Sequence, residues 1–343
     1  MTEAPGDIVV GIVVPFTSWN PLVEECVRGC LDLDYGNFKL ALMPNEGEAL
    51  PAWVSEDPRI IVAPTPVHGI SFKRNTGFRV VGDVACYALI DSDARPEPQW
   101  LTNALKIFEK DPGISIVTGP NISPDYQSPL RRAVTNALHS PLVLGSRAFM
   151  KRRAEDRYTH DPYGCNMIIK KDAIDAVGGF NETLKFGEDS ELNRRIGRAG
   201  GKLFFSGDVV VFHHNRPLFM PFIKQRMFGG QTAPSAFMRD PCFAFALFLL
   251  PAVFIVFAAV GWVMGFVHPV GYGLWLLGIA MFFLVTIIEA IRHAKTAGQI
   301  PLTWIALIIG NLAPGVGSLI ALMKMTPGLV PFHTNYTPGN NPD

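Results

Sequence analysis

Two short carboxylate motifs carry most of the chemistry this sequence can offer. The first is Asp91-Ser92-Asp93, which closes the apolar run "ACYALI". Two carboxylates at the end of a buried strand suit a hard divalent cation, which prefers oxygen ligands and keeps positions open for phosphates. Asp93 is the expected direct ligand. Asp91 is either a second ligand or the acceptor for a ribose hydroxyl. The second motif is Glu188-Asp189, which opens "EDSELNRRIGRAGG". There Leu192, Ile196 and Ala199 share one helical face and a Gly-Gly pair ends the turn. A carboxylate in the first turn is favoured in its ionised form by the helix dipole. It can act as a base toward a hydroxyl nucleophile, or Asp189 can simply cap the helix. The residues alone leave both readings open.

The elements needed to position these motifs follow from the pattern of the first 215 residues. "DIVVGIVVP" is a continuous β-branched run, as in strands covered on both faces. A helix is predicted over about Pro21–Leu31, then strands in "FKLALMP" and "RIIVAP", a helix near Phe72–Val81, and the strand that ends in Asp91. Further along come a helix near Pro98–Lys110, the strand "GISIVTGP", a basic and less regular stretch over 125–161, and "CNMIIKKDAIDAVGGF" as strand, short helix and turn. The run "KLFFSGDVVVFHH" supplies the last strands. Alternating strands and helices predict an open, largely parallel sheet, and in such sheets ligands gather at the carboxyl ends of the strands. That edge is where Asp91 and Asp93 fall.

Charge divides the chain. Lys plus Arg and Asp plus Glu each number 30, so the net charge is zero and a nucleic acid held by a basic face is not expected. Between Asp240 and Glu289 there is no charged residue, and another uncharged run covers Thr296–Met323. Spans are predicted over about Cys242–Phe266 and Val270–Ile291. A third apolar segment, about Pro301–Met323, contains Asn311, Pro314 and nearby glycines. It either spans as a kinked helix or breaks and packs against the first two helices. "LFMPFIKQRMFGGQTAPSAFMRD" mixes large apolar residues with Lys224, Arg226 and Arg239, as an interfacial segment does. The expected organisation is a domain over 1–215, an interfacial segment over 216–240, a membrane domain over 241–325 and a flexible tail over 326–343. The acidic start lacks a basic n-region, and Arg292 and Lys295 lie between the second and third apolar segments. Both point to a catalytic domain on the cytoplasmic side of the inner membrane. The five cysteines show no zinc or disulfide spacing, and the three Asn-x-Ser/Thr matches (Asn121, Asn181, Asn335) are read as chance.

Taken in order, "KRNTGFRVVGDVACYALIDSD", "GGFNE", "GEDSELNRRIGRAG" and "VVVFHHNRP", preceded by Val9–Pro15, resemble the family 2 glycosyltransferases of the GT-A fold, over about Ile8 to Gly230. The resemblance implies an α/β, Rossmann-like sheet flanked by helices, followed here by a helical membrane domain. It implies inverting transfer from a nucleotide diphosphosugar with Mg2+ or Mn2+. It places Pro15, Thr17, Glu46, Arg74, Asp91, Ser92 and Asp93 around the donor, with Asp91, Asp93 and His213 or His214 at the metal. Asp189 becomes the general base, with Glu188 beside it near the acceptor. Gly179, Phe180, Gln225 and Arg226 fall on the acceptor side, Gln225 and Arg226 in a segment similar to one preceding the membrane helices of lipid-linked transferases. One departure stands out. The family's second strand usually ends in paired aspartates, whereas this one ends in Asn45 and Glu46.

The expected activity is therefore transfer to a hydroxyl of a polyprenyl-diphosphate-linked or other membrane glycolipid in surface-glycan assembly. A polyprenyl-phosphate acceptor is the nearest rival. Its nucleophile is already an anion, and the Glu188-Asp189 pair counts against it. A processive synthase would need more spans and a full Q-x-x-R-W motif. A catalytically silent nucleotide-sugar-binding scaffold would not need both carboxylate motifs.

Overall fold

The computed structural model describes residues 8–67, 69–184, 187–239 and 249–324. The expected start of the first span at Cys242 and the tail over 326–343 lie outside them. The described chain divides into two compact units. One holds residues 8–124 and 149–214, and the other holds 125–148 with 215–324. The stretch 125–148 thus groups with the helical unit, although its place in the sequence put it in the first domain.

The first unit is built on strands β1 (Val10–Pro15), β2 (Phe38–Met43), β3 (Ile60–Val62), β4 (Cys86–Ile90), β5 (Ala94–Pro96), β6 (Ile114–Thr118), β7 (Asn121–Ile122), β8 (Arg157–Thr159), β9 (Asn166–Lys170), β10 (Lys202–Phe205) and β11 (Val211–His213). The main sheet runs β3-β2-β1-β4-β9-β6-β10-β8. It is mostly parallel; β9 runs antiparallel between β4 and β6, and β8 runs antiparallel on the edge. Every residue of β1 is buried, which explains its uninterrupted apolar sequence. Strand order reverses beside β1, with β2 and β3 on one side and β4 on the other. The carboxyl ends of β1 and β4 therefore flank the crevice expected to receive a ligand.

Helices cover both faces: α1 (Pro21–Leu31), α2 (Ala52–Glu56), α3 (Ile70–Val81) and α4 (Trp100–Lys110). Asn20 starts α1 by accepting from the Leu22 and Val23 amides, with Pro21 at the first turn. Helix α3 lies hard against β1. A Cβ on Gly77 would sit 2.4 Å from Val13 Cγ1, so glycine sets this approach. A second small sheet has the order β5-β11-β7, and its β5 begins at Ala94, just after β4 ends at Ile90.

In the other unit, the segment expected to be irregular holds α5 (Pro129–Leu138) and α6 (Pro141–Leu144). Back in the first unit come α7 (Lys171–Val177) and α8 (Glu188–Arg198). Most of the segment expected over 216–240 is one continuous helix, α9 (Met220–Arg239). Three helical stretches, Leu250–Val267, Pro269–His293 and Ala297–Lys324, are long and apolar enough to cross a membrane.

The last of these is unbroken, as in one of the two courses expected for it. No break occurs at "NLAPGVGS": Ile300–Lys324 is one helix with Pro314 inside it. Proline has no N–H for the carbonyl four residues back, here Gly310. Arg226 fills that vacancy, donating to Gly310 O from Nε at 3.2 Å and Nη2 at 3.1 Å. Asn311 donates within its own helix to Leu307 O at 2.8 Å, and not to another helix.

Candidate active site

Strand β4 delivers Asp91, Ser92 and Asp93 to the sheet edge, all partly exposed. The turn into β5 is closed by the Ala94 amide donating to Asp91 O. Because β11 pairs with β5 so that His213 faces Ala94, its ring comes to the same place. Nε2 of His213 lies 3.3 Å from Asp93 Oδ1, and Nδ1 is buried without a hydrogen-bond partner among the described residues. The neighbouring His214 turns the other way and meets Glu25 of α1 at 3.0 Å. Of the two histidines, His213 is the one at the carboxylates.

Glu188 and Asp189 begin α8, as the sequence predicts. Its N-cap is Gly187, in the left-handed region at φ 71°, and no side chain caps the helix. Asp189 is therefore not the cap. Its Oδ2 accepts from the Gly164 amide at 3.1 Å and its Oδ1 from the Ser190 amide at 2.8 Å. Asn193, one turn on, anchors the same loop by donating to Pro162 O at 2.9 Å.

Arg74 joins the two motifs. It is 3% exposed, and its Nη2 meets Asp91 Oδ1 at 3.2 Å while Nη1 meets Glu188 Oε1 at 3.1 Å. It also donates to Gly164 O at 3.4 Å. The guanidinium lies over the Phe180 ring, 5.1 Å from its centroid. A Cβ on Gly164 would sit 3.0 Å from both terminal guanidinium nitrogens. Burial pushes the Glu188 carboxyl above the usual range, and the Arg74 charge offsets part of that.

The four residues expected on the acceptor side differ in exposure. Phe180 is wholly buried, stacked on Phe78, and supports Arg74 from below, so its ring has no surface for an acceptor. Gly179, at φ +79°, is buried too, and its carbonyl accepts from Arg195 at 2.7 Å. Arg226 belongs to the helical unit and bonds to the Gly310 and Val143 carbonyls, while Gln225 is exposed on α9. On the donor side, Pro15 ends β1, and Thr17 and Glu46 are exposed just past β1 and β2.

Three participants escape sequence reasoning. Lys73 is buried and donates to Phe16 O at 2.5 Å, Met43 O at 3.0 Å and Asn45 Oδ1 at 2.8 Å, tying together the ends of β1 and β2. Burial draws its ammonium down to about 8. Asn75 clamps the Gly179-Phe180 turn, donating to Phe180 O and Glu182 and accepting from the Phe180 amide. Both lie in "KRNTGF", yet only their contacts reveal their roles. Cys165 is the third. Its sulfur, an Asp91 oxygen and a His213 nitrogen lie within 4.8 Å of one another.

These groups fit a divalent cation. Carboxylates with one imidazole suit Mn2+ or Mg2+, and His213 has a buried ring nitrogen left unserved. Asp91 and His213 bring an oxygen and a nitrogen within 4.8 Å of each other while Asp91 also pairs with Arg74, and Asp93 meets the other side of the set at His213 Nε2. Cys165 is a poor one for a hard ion, because burial pushes its thiol well above the ordinary value.

The family model described as "Glycosyltransferase like family 2" matches residues 5–229. A pre-mycofactocin glycosyltransferase of Mycobacterium tuberculosis (strain ATCC 25618 / H37Rv) is 30% identical over 238 residues, 67% of this chain and 47% of its own length. This chain thus spans about half the length of that relative. A glucosyl-dolichyl phosphate glucuronosyltransferase of Haloferax volcanii is 30% identical over 114 residues, 33% of this chain and 34% of its own length. Among solved structures, the mannosyltransferase PcManGT from Pyrobaculum calidifontis, in complex with GDP-Man and Mn2+, superposes with a TM-score of 0.56. Its identity is 19%, covering 91% of this chain and 86% of that one. At that identity the likeness concerns the fold, which is GT-A.

Proposed function

Since the chain belongs to the glycosyltransferase family 2-like proteins, we propose that it moves a sugar from a nucleotide diphosphosugar to a hydroxyl of a lipid-linked saccharide, with inversion. The observation that carries this reading is the single constellation Asp93–His213, Asp91–Arg74–Glu188 and Asp189, gathered at the carboxyl edge of β4. In one in-line displacement, Asp189 takes the proton of the attacking hydroxyl. Its two backbone donors fix the carboxylate, leaving the remaining lone pairs for the acceptor. Arg74 holds Asp91 and Glu188 in place from below. Thr17 and Glu46 stand at the crevice where the nucleotide would lie.

Asp93 and His213 would hold a divalent cation, with Asp91 adjoining. Bound there, the cation supplies neutralisation of the departing nucleoside diphosphate. The apolar helices and the name of the Haloferax relative support an acceptor carried on a polyprenyl-type lipid. The Arg292 and Lys295 loop supports work at the cytoplasmic face of the cell membrane.

The test is a transfer assay with the full chain in detergent, using nucleotide diphosphosugars and lipid-linked saccharides with Mn2+ or Mg2+. Asp189→Asn keeps the side chain's size and one of the two amide bonds it accepts, and removes the base. Donor binding should stay near normal while turnover falls roughly 10²–10⁴-fold. A loss below tenfold, or preferred transfer to a bare polyprenyl phosphate, would overturn the hydroxyl-acceptor reading.

A further inference from the structure

Composition alone offers three membrane crossings. The contacts among these helices describe something else. The first two form an antiparallel hairpin whose levels can be read pair by pair. Phe254 meets Phe282, with ring centroids 4.5 Å apart. A Cβ on Gly278 would touch Phe257 at 2.9 Å, one on Gly261 would touch Trp275, and one on Gly265 would touch Tyr272. Residues 251–255 of one arm therefore stand level with about 281–285 of the other.

The third apolar helix meets both arms at that one level. Trp304 Nε1 donates to Thr286 Oγ1 at 3.0 Å, and its ring packs on Phe283. Eleven residues on, a Cβ on Gly315 would lie 2.5 Å from the Pro251 carbonyl and 2.7 Å from Ile255. Eleven residues of helix rise about 16 Å. A helix running along the hairpin would have moved down it by that distance. This one has moved hardly at all, so it crosses the hairpin steeply. Asn311, between the two contacts, lines a cavity of about 320 Å³ with Leu142, Phe254, Phe282, Val285 and Thr286, in the cleft between the arms.

Helix α9 runs beside this crossing helix in the same direction. Phe222 and Arg226 meet Gly310, Met227 meets Gly317, and Gly230 accepts from Ser318 Oγ at 2.8 Å while facing Pro314. If the third helix stood upright, this pairing would carry the charged Lys224 and Arg226 and the polar Gln231 into the hydrocarbon, a costly place for such groups. In the described part of this unit, ten Lys and Arg stand against two acids, and all lie outside the two uncharged runs. Phe219, Met220 and Phe228 are exposed on or beside α9 with Lys224, the mixture that suits a headgroup layer.

We infer that Ile300–Lys324 and α9 lie together in the plane of the membrane interface, across the base of a two-helix transmembrane hairpin, against the headgroups of one leaflet. The chain then crosses the bilayer twice. Residues beyond Lys324 stay on the side of Lys295, and His268 marks the opposite side. The basic side chains around the pair meet anionic lipid phosphates.

The test uses the full-length chain in sealed vesicles of known orientation. Single cysteines at Lys295, His268 and Thr337 are labelled with an impermeant maleimide, with the parent chain as blank. The expected result is that Thr337 labels from the same side as Lys295. Labelling from the side of His268 overturns the inference. A depth measurement covers the case of a poorly labelled tail. Nitroxides at Ile305, Val316 and Leu322 should differ in bilayer depth by no more than a helix diameter, about 10 Å. A steady progression of about 25 Å from Ile305 to Leu322, the rise of an upright helix, overturns it as well.

Discussion

At the scale of single residues, two buried cations organise the site. Arg74 is the only described link that touches both carboxylate motifs directly, bonded to Asp91 and Glu188 while 3% exposed. Removing it strands two carboxylates, one of them mostly buried, and broken buried pairs typically cost about 3–5 kcal/mol. Arg74→Ala should lower the thermal midpoint in detergent accordingly. Arg74→Lys should rescue little, because a single ammonium cannot span both oxygens as the planar fork does. A wild-type melting curve for either variant would remove Arg74 from this role. Lys73 makes a pH-dependent prediction. Its folded-state value of about 8 lies below the 10.5 of a free lysine. Between those values the unfolded chain binds the proton and the folded chain does not, so stability from this group rises with pH from 8 toward 10.5. Comparison with Lys73→Met isolates it. The variant loses the buried hydrogen bonds of the lysine, three for the ammonium and at most two for the neutral amine, and the rise specific to Lys73 should vanish from its stability profile. Only part of this layer was legible beforehand. Asp91 and Asp93 announce themselves because a strand and its polar end are adjacent in sequence. Cys165 does not. It comes to Asp91 only because β9 enters antiparallel with Asn166 opposite Ile90, and no local pattern encodes that pairing.

At the scale of elements, the readable parts are those whose signals are local. Helix α1 carries its cap in Asn20 and Pro21, and α8 shows its buried stripe in Leu192 and Ile196. The segment 129–144 looked irregular because its partners are distant. Ala133, Val134, Ala137 and Leu138 pack with Ala306 and Leu307, about 170 residues further on. Likewise "NLAPGVGS" reads as a break until Arg226 is seen serving the Gly310 carbonyl. The helix pair built around Pro314 depends on small residues, which let the two backbones approach closely. A Cβ on Gly230 would sit 2.0 Å from the Pro314 carbonyl, and one on Gly317 2.0 Å from that of Met227. Both obstacles are backbone, so neither can step aside. Gly230→Ala should therefore destabilise the detergent-solubilised chain by about 1–3 kcal/mol, the usual cost of overpacking. Gly229→Ala is the control. Its Cβ would meet nothing within 4 Å, and alanine gains up to about 1 kcal/mol of helix propensity over glycine. Size-exclusion thermostability of the two variants should move in opposite directions. Equal shifts would mean that the two helices are not held at this distance.

At the scale of the whole molecule, the boundary between units does not coincide with one point in the sequence. The helical unit takes 125–148 out of the middle of the first unit's chain, between β7 and β8. Its apolar face, Ala133, Val134, Ala137, Leu138 and Val143, is buried in a cluster with Leu218, Phe222, Ala290, Ala306 and Leu307. Polar ties reinforce it: Asn136 donates to Thr303 and Gln299, and Ser140 to Glu289. A chain cut after His214 retains the sheet, Asp93, His213 and Asp189, yet exposes this face with nothing to cover it. An apolar patch of that kind is an association site in water. The truncated chain is therefore expected to need detergent or to aggregate, even though every predicted membrane segment has been removed. Adding Val134→Glu and Leu138→Lys to the truncation should restore a monodisperse species, because those side chains no longer have a buried partner surface to lose. Light scattering of the two truncated forms in detergent-free buffer decides it. If the unsubstituted truncation is already monomeric and soluble, residues 125–148 refold by themselves, and the grouping of this segment with the apolar helices is not what holds it in place.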